Sequence, residues 1–302
     1  MPIGMMRFGE PGNMVILLAA SCALFAQNDV NSQDLSTAPD VRRIVDLSVT
    51  ATQRHWRAWV LYSYLERDEN RRLDPVGHVK SEEVDVLRAM LVNGIHFEQL
   101  VERNGRPPSA SEQRKQNEEI EKLKRKTPEQ RAELLRKEEE ENTSLVGEVP
   151  MAFDFQLAGE DVVNGRPTWV LQAAPHPGYQ AKGKYGRMFS KVAGKLWVDK
   201  QDFGWVKVDG YVIQPFSMGL FLARVLRGSH ITMEQTDVEK GLWLPEHIEV
   251  RAAAKIFFIM SLVIDRVLTY SEYLPPQADV PPEVRGAPFA ETGVEKSLDT
   301  AR

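Results

Sequence analysis

Apolar and polar positions change period several times along this chain, and the changes mark its elements. In DVRRIVDLSVTATQR, residues 40–54, Val41, Ile44, Val45 and Ser48 recur at helical spacing behind Asp40, a good N-cap. The pattern predicts a helix there. From Ala58 the residues favour strand, and AWVLYSYLERDENRRL, HVKSEEVDVLRAML and IHFEQLVERNG follow one another. Their separators are turns, Asp74-Pro75-Val76-Gly77 and Val92-Asn93-Gly94, so the three segments predict an antiparallel meander.

The character then shifts. Of the 31 residues from 112 to 142, nine are Lys or Arg and ten are Glu, so the charges nearly cancel. Two capping boxes frame the stretch, Ser109 with Glu112 and Thr127 with Gln130, the second with Pro128 at the first helical position. Apolar residues are sparse: Ile120, Leu123, Leu134 and Leu135. The expectation is a charged helical insertion over residues 109–142, mostly solvated, which could also serve as an arm for a protein partner.

Strand patterning resumes at MAFDFQLAG and NGRPTWVLQAAP. GKLWVDKQDFGWVKVDGYVI reads as a hairpin around residues 199–202. Strict alternation places Leu196, Val198, Val206 and Val208 on one side, and Trp197 and Trp205 together on the other as a cross-strand pair. RVLRGSHITMEQTDVEKGLWLPEHIEVRAA reads as two strands around Glu239-Lys240-Gly241, and KIFFIMSLVIDRVLTYSEY as one more, apolar on both faces. Short helix is expected near residues 183–191 and 216–226. The count reaches about ten strands. The tail from Pro275 holds five prolines by Pro288 and reads as disordered.

Composition limits the function classes. A formal net charge of −5, with no basic stripe interleaved with aromatics, argues against nucleic-acid binding. MVILLAASCALF, residues 14–25, follows Arg7 and has the length of a signal-peptide core, too short to span a bilayer. The chain thus reads as exported, periplasmic or outer-membrane-associated: signal 1–26, linker 27–39, body 40–274, tail 275–302. Cleavage after Ala26 and lipidation of Cys22, which follows Ala19-Ala20-Ser21, are alternatives. Lipidation would add membrane association through the anchor. Cys22 is the only cysteine, so the mature body has no disulfide and no thiolate chemistry. The six histidines show no ligand spacing, and no catalytic or phosphate-loop motif occurs; GKYGR lacks the required order. His176, in APHPG, sits in the most constrained loop, while Asp154 and Asp265 interrupt apolar strands. No catalytic residue, metal or cofactor is assigned.

Three short motifs occur in a fixed order: NGRPTWVL (164–171), GKLWVDKQD (194–202) and GLWLPEHIEV (241–250). In this order and spacing, over residues 40–273, the sequence resembles the LolA/LolB-like superfamily, which includes periplasmic lipoprotein carriers and the sensor half of RseB-type regulators. The resemblance implies an α+β fold: a long curved antiparallel sheet, a half-open barrel of about 9–11 strands, wrapped around helices. It also implies an apolar cavity for a lipid or acyl chain. Candidate lining residues are Phe153, Phe155, Trp169, Leu171, Val206, Val208, Phe257, Ile259 and Leu262. Family carriers close the cavity with an arginine, which no local motif assigns here, and the small carriers lack the charged insertion.

Overall fold

The computed structural model describes residues 40–181, 186–218, 223–256 and 260–276. The segments expected to be signal and linker, Cys22, nearly all of the expected tail, and Phe257 and Ile259 lie outside the described residues. Helix α1 spans Val41–Trp59, and the Asp40 carboxylate accepts from the N–H groups of Arg42 and Arg43 at its start. It runs a turn further than the sequence pattern predicts. Ala58 is buried against the sheet, so the apolar residues ahead of the first strand serve the helix instead.

The meander forms as expected: β1 (Ser63–Leu73), β2 (Val79–Val92) and β3 (Ile95–Arg103). Its second turn places Asn93 at φ 52° and Gly94 at φ 75°. Both are left-handed values, which the twist of a two-residue hairpin demands and which Asn and Gly tolerate. Helices α2 (Ala110–Lys124) and α3 (Pro128–Ala152) follow, each closed by the capping box read from sequence. Helix α3 does not stop at Asn142. Thr143, Ser144, Gly147 and Pro150 are poor helix formers, but Leu145, Val146 and Val149 pack into the interior, and tertiary burial overrides propensity.

Strands β4 (Phe153–Val163) and β5 (Arg166–Pro175), the short helix α4 (Gly186–Phe189), β6 (Val192–Asp199) and β7 (Trp205–Val212) come next. Of the helix expected over residues 216–226, positions 219–222 lie outside the described residues. The described ends of that stretch are two short strands, β8 (Phe216–Met218) and β9 (Ala223–Val225), held extended because β9 pairs with β11. The last three are β10 (His230–Asp237), β11 (Trp243–Ile256) and β12 (Met260–Leu274). The apolar run KIFFIMSLVI is therefore not one strand. Ile256 pairs with Met260, so the chain reverses between them. Sequence reading misses this reversal because the run holds no Gly, Pro, Asn or Asp.

Every pairing is antiparallel, and the order is β3-β2-β1-β12-β11-β10-β7-β6-β5-β4, with β8 and β9 to one side. The fold class is the expected one: an α+β architecture with a long, curved, open antiparallel sheet carrying helices. Last strand β12 lies beside first strand β1, so the meander and the rest of the sheet are joined by the end of the chain.

Candidate functional site

Helix α1 crosses one face of the sheet and sets the geometry of the interior. Its Ile44 and Val45 pack on Leu171, Leu196, Val198 and Val208, with Phe155, Trp169 and Trp205 around them. Its other end carries Trp59, which stacks on Tyr64 at 5.7 Å and meets the edge of Tyr270 at 6.0 Å. Between these ends the buried face is mixed, with Val49 and Ala51 beside three polar residues. Ser48, Thr52 and His55 follow at i, i+4 and i+7, all buried. Ser48 is satisfied: it donates to the Val45 carbonyl (2.9 Å) and accepts from the Trp205 indole N–H (3.0 Å). Thr52 Oγ1 and His55 Nδ1 have no hydrogen-bond partner. Burial, aided by the neighbouring Arg54, lowers the His55 pKa to about 4, so its ring is neutral.

The predicted cavity residues divide. Phe155, Trp169, Leu171 and Val208 converge on α1 in one cluster, and Phe153 belongs to the adjoining one with Leu262 against it. Phe155 touches both. Val206 is fully buried but stands in a β-bulge: Trp197 pairs with Lys207 and Val198 with Trp205, so Val206 is skipped. That bulge overturns the expected tryptophan pair. One extra residue reverses alternation, so Trp205 turns inward to Ser48. Trp197 stays on the other face, where its N–H donates to Asp161 (3.0 Å) and the Lys207 ammonium lies 5.8 Å from its ring centroid.

The three sequence landmarks meet in one knot. Arg166 is bidentate to Asp199 (2.8 and 3.0 Å) and reaches Asp202 (2.6 Å) and Asp237 (3.4 Å). Its guanidinium lies 5.4 Å from the Trp243 ring centroid, and the Trp243 N–H donates to Asp202 (2.8 Å). Burial opposes the charge on Asp199, but Arg166 and the N–H groups of Gln201 and Asp202 outweigh it and hold the carboxyl below its ordinary range. A Cβ on Gly204 would run into the Trp243 indole. The knot ties β5, the β6–β7 turn and the β10–β11 turn together. Every charged group in it faces another within it, which marks it as structural.

A groove of about 460 Å³ opens between α1 and α3, lined by Arg57, Arg136, Glu139, Glu140, Thr143 and Ser144. Its arginines are already paired, Arg57 with Glu139 (2.7 Å) and Arg136 with Glu133 (3.0 Å) and Glu140 (2.5 Å). No group of three or more His, Cys, Asp or Glu among the described residues is placed to hold a metal ion. His176 pairs with Asp154 on the surface (2.8 Å).

The chain is similar in structure to LolA-superfamily proteins. A LolA-superfamily protein from Nitrosomonas europaea aligns over 80% of this chain and 95% of its own, with 12% identity and a TM-score of 0.31. An outer-membrane lipoprotein-sorting protein domain from Vibrio parahaemolyticus aligns over 80% and 97%, with 11% identity and a TM-score of 0.30. The MucA/MucB complex of Pseudomonas aeruginosa aligns over 76% of this chain and 99% of the matched chain, with 11% identity and a TM-score of 0.23. No family model and no curated protein matches the sequence.

Proposed function

We propose that the chain is an exported binding protein that takes up the acyl part of a lipid or lipoprotein between α1 and the sheet. The observation that carries this reading is the seam itself. Apolar wall residues Phe155, Leu171, Leu196 and Val208 face a helix whose centre holds two unsatisfied buried polar atoms, on Thr52 and His55. Each such atom costs about 1–3 kcal/mol. The seam is therefore weaker than its apolar area suggests. An acyl chain entering there gains about 0.8 kcal/mol per methylene removed from water. About a dozen buried carbons support micromolar binding after the cost of association. Nothing in this reading requires catalysis, and export is the expectation from the signal-like N-terminus.

Native mass spectrometry of the purified chain tests it. The reading predicts added mass that matches lipid and disappears on organic extraction. Preparations that are always lipid-free, from cells rich in candidate lipids, contradict it.

A protein partner on the charged helices is the second reading, favoured by the outward charge of the α2–α3 arm. Charge reversal at Glu118, Glu119 and Arg114, which face solvent, would abolish partner capture without touching acyl uptake.

A further inference from the structure

A second feature of the interior lies apart from the acyl seam, where β1, β2, β3 and β12 meet the Trp59 end of α1. Glu66 on β1 is only 8% exposed. From β1 itself it faces Asp68, from β3 Glu98, and from β12 Arg266, Tyr270 and Tyr273. On β2 the nearby Asp85 is held by Arg103 (2.6 and 2.7 Å), and opposite Glu66 stands buried Leu87. His96 on β3 is buried, shares a hydrogen bond with the Tyr64 hydroxyl (3.3 Å), and is kept neutral by that burial. From α1, Trp59 brings no charge. Arg266 is the cation that acts on Glu66, and Asp68 holds it with two bonds of 2.7 Å each.

Glu66 and Asp68 thus draw on one guanidinium, and its two bonds of 2.7 Å go to Asp68, while Glu98 adds a further negative charge beside Glu66. We propose that Glu66 is a proton switch: neutral and packed at neutral pH, ionised in mildly alkaline solution, where its charge loosens the Trp59 end of α1 from β1 and β12. Burial, then the charges of Glu98 and Asp68, push this carboxyl up to about 8, against the pull of Arg266 and a Tyr270 hydrogen bond. Tyr64, Tyr270 and Tyr273 are all raised above the ordinary tyrosine range, so they remain neutral while Glu66 titrates. The device does not depend on the identity of any ligand.

Hydrogen exchange of the full chain, measured from about pH 6 to about pH 9.5 and corrected for intrinsic rates, tests it. Residues 56–66 and 264–273 should lose protection in a reversible step as pH rises toward the value near 8 to which Glu66 is raised, and the loss should level off above it. Glu66→Gln should remove the step. Glu98→Gln, at a partly exposed position, takes away a repelling charge and should move the midpoint down; it keeps the test open if the first variant fails to fold. A wild-type chain without the step, a Glu66→Gln chain that keeps it, or an unmoved midpoint in Glu98→Gln overturns the proposal.

Discussion

Single residues in this protein hold more structure than their side chains suggest. Arg166 reaches three aspartates and an indole, with Asp199 almost wholly buried beside it. Removing one partner of a buried pair strands the other charge, at about 3–5 kcal/mol. Arg166→Met should therefore lower the denaturation midpoint sharply, and Arg166→Lys should restore little, because Lys lacks the bidentate fork. Chemical denaturation followed by tryptophan emission would measure both. Thr52→Val should act in the other direction. It keeps the shape, deletes an unsatisfied hydroxyl, and should stabilise by about 1 kcal/mol or more. If the α1 seam is the acyl site, the same change should also weaken acyl uptake by tightening it. The sequence shows Arg166, Asp199 and Trp243 as parts of ordered motifs. It does not show that they meet, because contacts across 33 positions, from Arg166 to Asp199, and 41, from Trp243 to Asp202, leave no periodic trace.

At the scale of elements, the charged arm is more tightly bound than its composition predicts. Its few apolar residues, Ile120, Leu123 and Leu134, form a small core with Met90, Val92, Ile95 and Phe97 of β2 and β3. Buried Gln116 treats the sheet edge as a strand would: its amide oxygen accepts from the Leu100 N–H (2.6 Å) and its amide nitrogen donates to the Leu100 carbonyl (3.3 Å). That pair blunts an exposed edge. Asn93 holds the far end, donating to the carbonyls of Leu123, Lys124 and Lys126 and accepting from Arg131. Asn93→Gly keeps the turn but drops these bonds. It should cost about 1–3 kcal/mol and raise protease cleavage at the α2–α3 turn before elsewhere. Capping boxes and hairpin turns were legible because they are local. The arm's docking was not, since four scattered apolar residues look the same on a free helix as on a packed one. The bulge at Val206 and the reversal after Ile256 stayed hidden for a related reason: neither carries a glycine or proline to announce it.

For the whole molecule, buried ionisable groups set the stability profile. His55 is lowered to about 4, and His96 is lowered as well. Unfolded, both titrate near 6.5, so the fold loses stability as pH falls below that value. Glu66 acts with the opposite sign. Its folded value is raised to about 8 from 4.5, so its contribution is complete below 4.5 and is lost as pH rises through 8. Together these groups place the maximum near about 6.5. Glu66→Gln should remove the decline with rising pH and steepen the acid limb between about 4.5 and 6.5, where the Glu66 term had opposed the histidines, as read from urea midpoints across pH. Fold class was readable from strand patterning and motif order. The order of strands was not, since β12 joins β1 across the length of the chain and nothing local foretells that pairing.

The central claim is that α1 and the sheet part to admit an acyl chain. Its most direct test is the titration of a fluorescent fatty acid into lipid-extracted protein, wild type and Leu171→Trp in parallel. Leu171 is fully buried in the α1 wall. The account predicts saturable, micromolar uptake by the wild type and at least a tenfold loss, about 1.4 kcal/mol, in a folded variant whose larger side chain fills the seam. No saturable uptake by the wild type, or equal uptake by both proteins, would contradict it.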